Sequence, residues 1–153
     1  MSRLTITITG NRVTLAGRID ETAQLAQLVP HLPAGALVID PEGVTFVNSV
    51  GMREWIRFLR AARDGREVAL ERVADVLMTQ MNLIGELRGL PIRSFHAQYE
   101  CGACGAEAQP LVDAVAHRDA VDRLALPGFP CPECAAAMEL ADFPERYLSI
   151  FRT

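Results

Sequence analysis

Residues 4–10, LTITITG, alternate apolar and polar positions and are rich in β-branched side chains, the period of a half-buried strand. NRVTLAGRID (11–20) repeats that alternation after Gly10-Asn11, so the two runs predict a β-hairpin. Leu25, Leu28, Val29 and Leu32 then recur at helical spacing, with Asp20 as the expected N-cap and Pro30 and Pro33 ending or distorting the helix. ALVID (36–40), bounded by Gly35 and Pro41, is a continuous apolar run that suits a strand buried on both faces. After Ser49, the residues Met52, Trp55, Ile56 and Leu59 mark one face of an amphipathic helix, and Arg53, Arg57 and Arg60 fall largely on the other. Gly65 supplies its left-handed stop. EVALERV (67–73) reads as another inner strand, and Val76, Leu77, Met81 and Ile84 as a helix ending near Gly89. LPIRSFHAQYE (90–100) reads as a last strand leading into the first cysteines.

The order β-β-α-β-α-β-α-β over roughly residues 3–98 predicts an α/β domain, a mixed β-sheet covered by helices on at least one face. The composition changes near Glu100. The expected organisation is therefore a first unit over 1–98 and a small cysteine-bearing module over 99–153, ending in a short amphipathic helix that carries Phe143, Tyr147, Leu148, Ile150 and Phe151.

Composition narrows the class. The 153 residues are half hydrophobic and 22% charged, the profile of a folded soluble chain. The net charge of −4 argues against broad nucleic-acid binding, and acidic residues surround the cysteines. All 15 cationic residues are arginine, so no lysine is present for Schiff-base or phosphate-loop chemistry. No basic-then-apolar leader and no run of the ~20 apolar residues of a membrane span is present, and a cytoplasmic location with reduced thiols is expected.

In that setting the four cysteines point to a metal. Cys101, Cys104, Cys131 and Cys134 form two C-x2-C pairs separated by residues 105–130. Two residues between cysteines let both sulfurs of a tight turn converge on one ion, and two such turns give the tetrahedral S4 set that Zn2+ accepts. Gly102, Gly105 and Pro132 suit the turns. Zinc is the expected ion and iron the main rival. A closed four-sulfur shell leaves no open position for water or substrate, so the site is structural, in a zinc-ribbon-like module. His96 and His117 are not needed as ligands.

LAGRID (15–20), LVIDPEGVTFVNSVGMREW (37–55) and REVAL (66–70) together resemble the STAS domain of anti-sigma factor antagonists. Gly17 and Asp20 match its glycine–aspartate motif. Asp40 matches the strand end, Phe46 the apolar position, and Ser49 and Gly51 the serine and glycine that open the helix. The family's usual aspartate before the serine is Asn48 here. The resemblance implies a non-enzymatic regulatory binding module in which Ser49, with Asn48, Asp20 and Gly51 around it, faces a partner. It also implies an anti-sigma factor kinase or related regulatory complex as that partner, with phosphorylation of Ser49 as the switch and transcription as the regulated process.

Two readings of Ser49 stay open at this point: a helix cap alone, or a cap that is also a partner-facing, phosphorylatable site. A second functional expectation keeps the fold and changes the job, to the cytosolic subunit of a lipid-transporting ABC complex that docks on its ATPase without phosphate. An enzyme is not expected. Ser49 and Gly51 mimic half of a nucleophile elbow, but Val47 stands where the preceding glycine is required.

Overall fold

The computed structural model describes residues 3–152 and is a mixed α/β structure. β1 (Thr5–Thr9) and β2 (Arg12–Ile19) form the expected hairpin around a two-residue loop at Gly10-Asn11. β3 (Leu37–Val47) and β4 (Val68–Leu70) follow in parallel, giving a sheet in the order β1-β2-β3-β4. α1 (Ser49–Ala62) joins β3 to β4, and α2 (Asp75–Met81) leads through a 3-10 turn at Gly85–Leu87 to β5 (Ser94–His96).

The sheet has two different faces because strand residues alternate. Val13, Leu15, Leu37, Ile39, Val68 and Leu70 share one face and are 0–4% exposed. They form the core with Trp55, Phe58 and Leu59 of α1 and with Leu77, Met78 and Met81 of α2. The other face carries an ionic lattice. Asp40 is fully buried and accepts from Arg12 at 2.8 Å and from Arg72 Nε at 2.9 Å. Arg12 also reaches Glu71 at 2.5 Å, Arg93 reaches Glu71 at 3.0 Å, and Arg72 reaches Glu42 at 3.2 Å. A buried carboxylate costs several kcal/mol unless its lone pairs are met, and the two guanidiniums and the Glu42 N–H meet those of Asp40.

Four expectations change. Residues 90–100, read as one strand, divide into two, Ser94–His96 and Tyr99–Glu100, in different sheets. Asp20 does not cap an α-helix. The segment Leu25–His31 is a 3-10 helix whose preceding residue, Gln24, has φ 50°. Asp20 instead closes a turn, accepting from the N–H and Oγ1 of Thr22 at 2.9 and 2.6 Å. β3 does not stop at Pro41 but runs on to Val47. Thr14 pairs with Asp40 and Ala16 with Gly43, so β3 has one extra residue there, and its pairing with β4 has already ended at Ile39–Leu70. Pro41 sits in that bulge, where its missing N–H breaks no ladder bond. Finally, the segment between the two cysteine pairs, for which no helix is predicted, contains one, α3 (Arg118–Asp122).

The cysteine-bearing segment grows out of the sheet. Leu70 N–H donates to Pro91 O, Arg93 N–H to Leu70 O and His96 N–H to Val73 O, each at 2.8 Å, so residues 91–96 lie along the outer side of β4. β6 (Tyr99–Glu100) and β7 (Glu107–Ala108) come next, and β8 (Leu111–Asp113) returns to pair antiparallel with β5. After α3, β9 (Phe129–Pro130) and β10 (Ala137–Leu140) complete a second sheet, in the order β7-β6-β10-β9. The tail is α4 (Pro144–Tyr147) and a 3-10 turn at Ser149–Phe151. It buries Tyr147, Leu148 and Ile150 as its periodicity predicts and leaves Phe143 69% exposed. It packs back on α2 and the residues that follow it. Tyr147 OH donates to Asp75 and to His96 O, Ile150 N–H donates to Asn82 Oδ1 at 2.9 Å, and Gly89 N–H donates to Ile150 O at 3.0 Å. Burial, with Asp75 beside it, holds the Tyr147 phenol far above its ordinary pKa, so it stays a donor.

Glu71 sits below the ordinary carboxylate value of 4.5, chiefly because Arg12 hydrogen-bonds it. A depressed folded pKa contributes stability that is present above 4.5 and lost as pH falls through the folded value. Urea titrations from pH 7 to about pH 3 are expected to show falling stability below about pH 4.5, with a shallower fall in Glu71→Gln.

Candidate metal centre and the exposed serine

Each C-x2-C pair lies in a tight turn between two short strands. In the first, Gly105 N–H donates to Cys101 O at 2.9 Å and Cys101 N–H to Ala106 O at 2.9 Å. In the second, Ala135 N–H donates to Cys131 O at 2.9 Å and Cys131 N–H to Ala136 O at 2.7 Å. CGACGA and CPECAA are thus one structural unit used twice, although their sequences share little beyond the cysteines. The unit needs a left-handed residue after its second cysteine. Gly105 supplies it at φ 79°, whereas Ala135 adopts φ 65° at a cost of roughly 1 kcal/mol. β6 pairs with both β7 and β10, and this brings the two turns together.

The four sulfurs lie within 4.8 Å of one another, with Cys101–Cys134 at 3.5 Å and Cys104–Cys131 at 3.6 Å. An S4 tetrahedron with ~2.3 Å metal–sulfur bonds has edges of ~3.8 Å, so the donor set fits one thiophilic ion. Cys101 and Cys131 are buried and Cys104 and Cys134 exposed, which places the cluster at the surface with one sulfur of each pair inward. The N–H groups of Cys104 and Ala103 bring Cys101 down to about 7. At Cys104 the Ala106 N–H favours the thiolate, but the adjoining Cys131 and Cys134 outweigh it and push the thiol up to about 12. Four thiolates at this separation need a cation between them. His96 is occupied elsewhere, against Glu42 at 2.8 Å and Gln109 O at 2.7 Å, and His117 lies outside the sulfur cluster.

The other expected site residues sit at the end of β3 and the start of α1. The cap is Asn48 rather than Ser49: Asn48 Oδ1 accepts from Gly51 N–H at 2.8 Å, and Ser49 is the first helical residue, with its side chain exposed. Gly51 is buried because the helix start rests on β2; a Cβ there would lie 1.8 Å from Ile19 O. Asp20, 7% exposed, follows Ile19 directly and also accepts from Arg18 Nε at 3.1 Å, while the Arg18 guanidinium lies 3.7 Å from the Phe46 ring centre. The chain therefore brings Asp20, Asn48, Ser49 and Gly51 to one end of the sheet, on elements other than the cysteine turns.

Glu21 belongs to this group and the sequence reading missed it. It accepts from Asn48 Nδ2 at 2.9 Å, which holds its carboxyl below the ordinary value. An aspartate at 48 has no N–H to give and would meet a like charge, so Asn48 is explained by Glu21. The only sequence signal was the acidic pair Asp20-Glu21, which spacing alone does not connect to residue 48. Among the described residues no helix is long and apolar enough to cross a membrane. No protein-family model and no curated protein matches the chain.

Two measurements follow. Gly51→Ala is expected to lower stability by roughly 2 kcal/mol or more in urea unfolding, because the obstructing atom is backbone and α1 must shift. Elemental analysis of the purified protein is expected to give one bound metal ion per chain. Cys131→Ser is expected to lose it, together with amide-exchange protection in β6, β9 and β10 but not in β2 and β3. Native protein free of metal, with those amides equally protected in the variant, would contradict the assignment.

Proposed function

We propose that the chain is a non-enzymatic regulatory module of the anti-sigma factor antagonist type: a STAS-like domain joined to a zinc-ribbon-like module whose four cysteines hold a structural Zn2+. The observation that carries the regulatory half is the exposure of Ser49 at the start of a 14-residue helix whose seat is fixed by Gly51. Because Asn48 does the capping, the Ser49 hydroxyl is not needed for the helix and is free for a partner or a kinase.

A phosphate at this place would meet the positive end of the helix and, one turn on, Arg53, the residue at i+4. It would add about −1.5 to −2 charges to a surface that already holds Asp20 and Glu21, with little effect on the fold. That combination changes how a partner binds while leaving the core alone. For the metal half, the sulfur separations favour a four-coordinate thiolate shell. Zn2+ is preferred because it needs no open position and no redox role.

The test is affinity purification from the native host followed by incubation with whatever ATPase co-purifies. A histidine-kinase-like ATPase that adds one phosphate to the wild type and none to Ser49→Ala, by intact mass, supports the reading. An ABC ATPase with a permease, bound without phosphate, assigns the chain to a transport complex instead. Ser49→Ala is expected to keep its unfolding free energy in urea within about 0.5 kcal/mol of wild type, since the hydroxyl caps nothing.

A further inference from the structure

β1 is the outermost strand of the main sheet, and the opposite edge is covered by residues 91–96 and β8. Free edges are normally blunted by charge, proline or a bulge. Residues 4–10 contain no charged residue and no proline, and β1 pairs with β2 without a register shift. The two-residue loop makes Thr9 and Arg12 a hydrogen-bonded pair. Alternation along the ladder then commits Thr5 and Thr7 to β2 as well and turns the N–H and C=O groups of Ile6 and Ile8 outward. The two isoleucines stand opposite Leu15 and Val13, both fully buried, so they lie on the core face. Ile8 is nevertheless 38% exposed.

The strand Thr-Ile-Thr-Ile-Thr reads the same in both directions about Thr7. We propose that this edge pairs antiparallel with β1 of a second copy of the chain, about a two-fold axis at Thr7. In that register Thr7 faces Thr7 of the second copy, Ile6 faces Ile8, and Thr5 faces Thr9. The outward N–H and C=O groups of Ile6 and Ile8 find partners, and each exposed Ile8 gains an apolar neighbour. Arg3 falls opposite Asn11, so no like charges meet, and Arg12 is already engaged by Asp40 and Glu71. A mismatched peptide could not satisfy both faces of the strand equally in both halves, whereas a second copy does so by symmetry. An interface of two five-residue strands lies below the ~1,000 Å² of a stable dimer, so the association is weak, with Kd on the order of 10–100 µM. The pairing requires neither the metal nor any role for Ser49.

Sedimentation equilibrium of the full chain from about 5 µM to 1 mM is expected to show a monomer passing to a dimer. Ile8→Pro removes an outward N–H and leaves the bonds to β2, so it is expected to stay monomeric with unchanged circular dichroism. Under mild oxidation Thr7→Cys is expected to give a disulfide-linked dimer that wild type does not, because non-hydrogen-bonded partners have Cα atoms ~4.5 Å apart. Thr5→Cys is not expected to, since its own counterpart would lie about 13 Å away. A monomer at every concentration overturns the proposal. So does a dimer that persists in Ile8→Pro, or cross-linking as strong through residue 5 as through residue 7. If Ile8→Pro fails to fold, the two cysteine variants decide alone.

Discussion

The contact on which the main sheet and its helices depend is the seat of α1 on β2. At Gly51 the helix comes so near the Ile19 carbonyl that no side chain fits between them. This closeness sets the helix against the sheet, and Met52, Trp55, Phe58 and Leu59 then bury in the same core as Val13, Leu15 and Ile39. It also decides which side chains remain outside. With the helix start pressed on β2, the capping duty falls to Asn48, one residue before the helix, and Ser49 is turned out. The turn closed by Asp20 stands beside it because Ile19, the residue that receives Gly51, is the last of β2.

A second dependence links the cysteine turns to the sheet. Their strands are short, and the segment is held by aromatic residues packed between its elements and the tail. Phe95 is an example: it pairs with Val112 across β5 and β8 and lies against the rings of Tyr147 and Phe151. Tyr99 is another, fully buried, packed edge-on to Phe129 and bonded through its hydroxyl to Pro127 O at 2.8 Å. A metal would thus order the outer half of a segment whose inner half is already built into the sheet.

What was legible in the sequence was what short-range rules decide. The β1–β2 hairpin follows from alternation and a Gly-Asn turn. The α1 face follows from 3.6-residue spacing, and the sulfur set from two C-x2-C pairs. What was not legible needed partners distant in the chain. Pro41 is a strand breaker by local rule and is tolerated only because β2 and β4 ask nothing of its nitrogen. Asp20 has the chemistry of a helix cap, yet Thr22 and Arg18 claim its oxygens first. Asn48 looks like a neutral substitute until Glu21 is brought beside it. The ionic lattice over Asp40 draws on residues from 12 to 93 and leaves no periodic trace at all.

The tail's return to α2 has a topological consequence. Because Ile150 and Tyr147 are tied to Gly89, Asn82 and Asp75, the stretch carrying the cysteines is a loop fixed at both ends rather than a dangling extension. Much of the entropy of bringing its ends together is therefore met by contacts that involve no sulfur. An ion leaving the four thiols would slacken a closed handle whose turns stay near one another, and recapture would be a local event at high effective concentration.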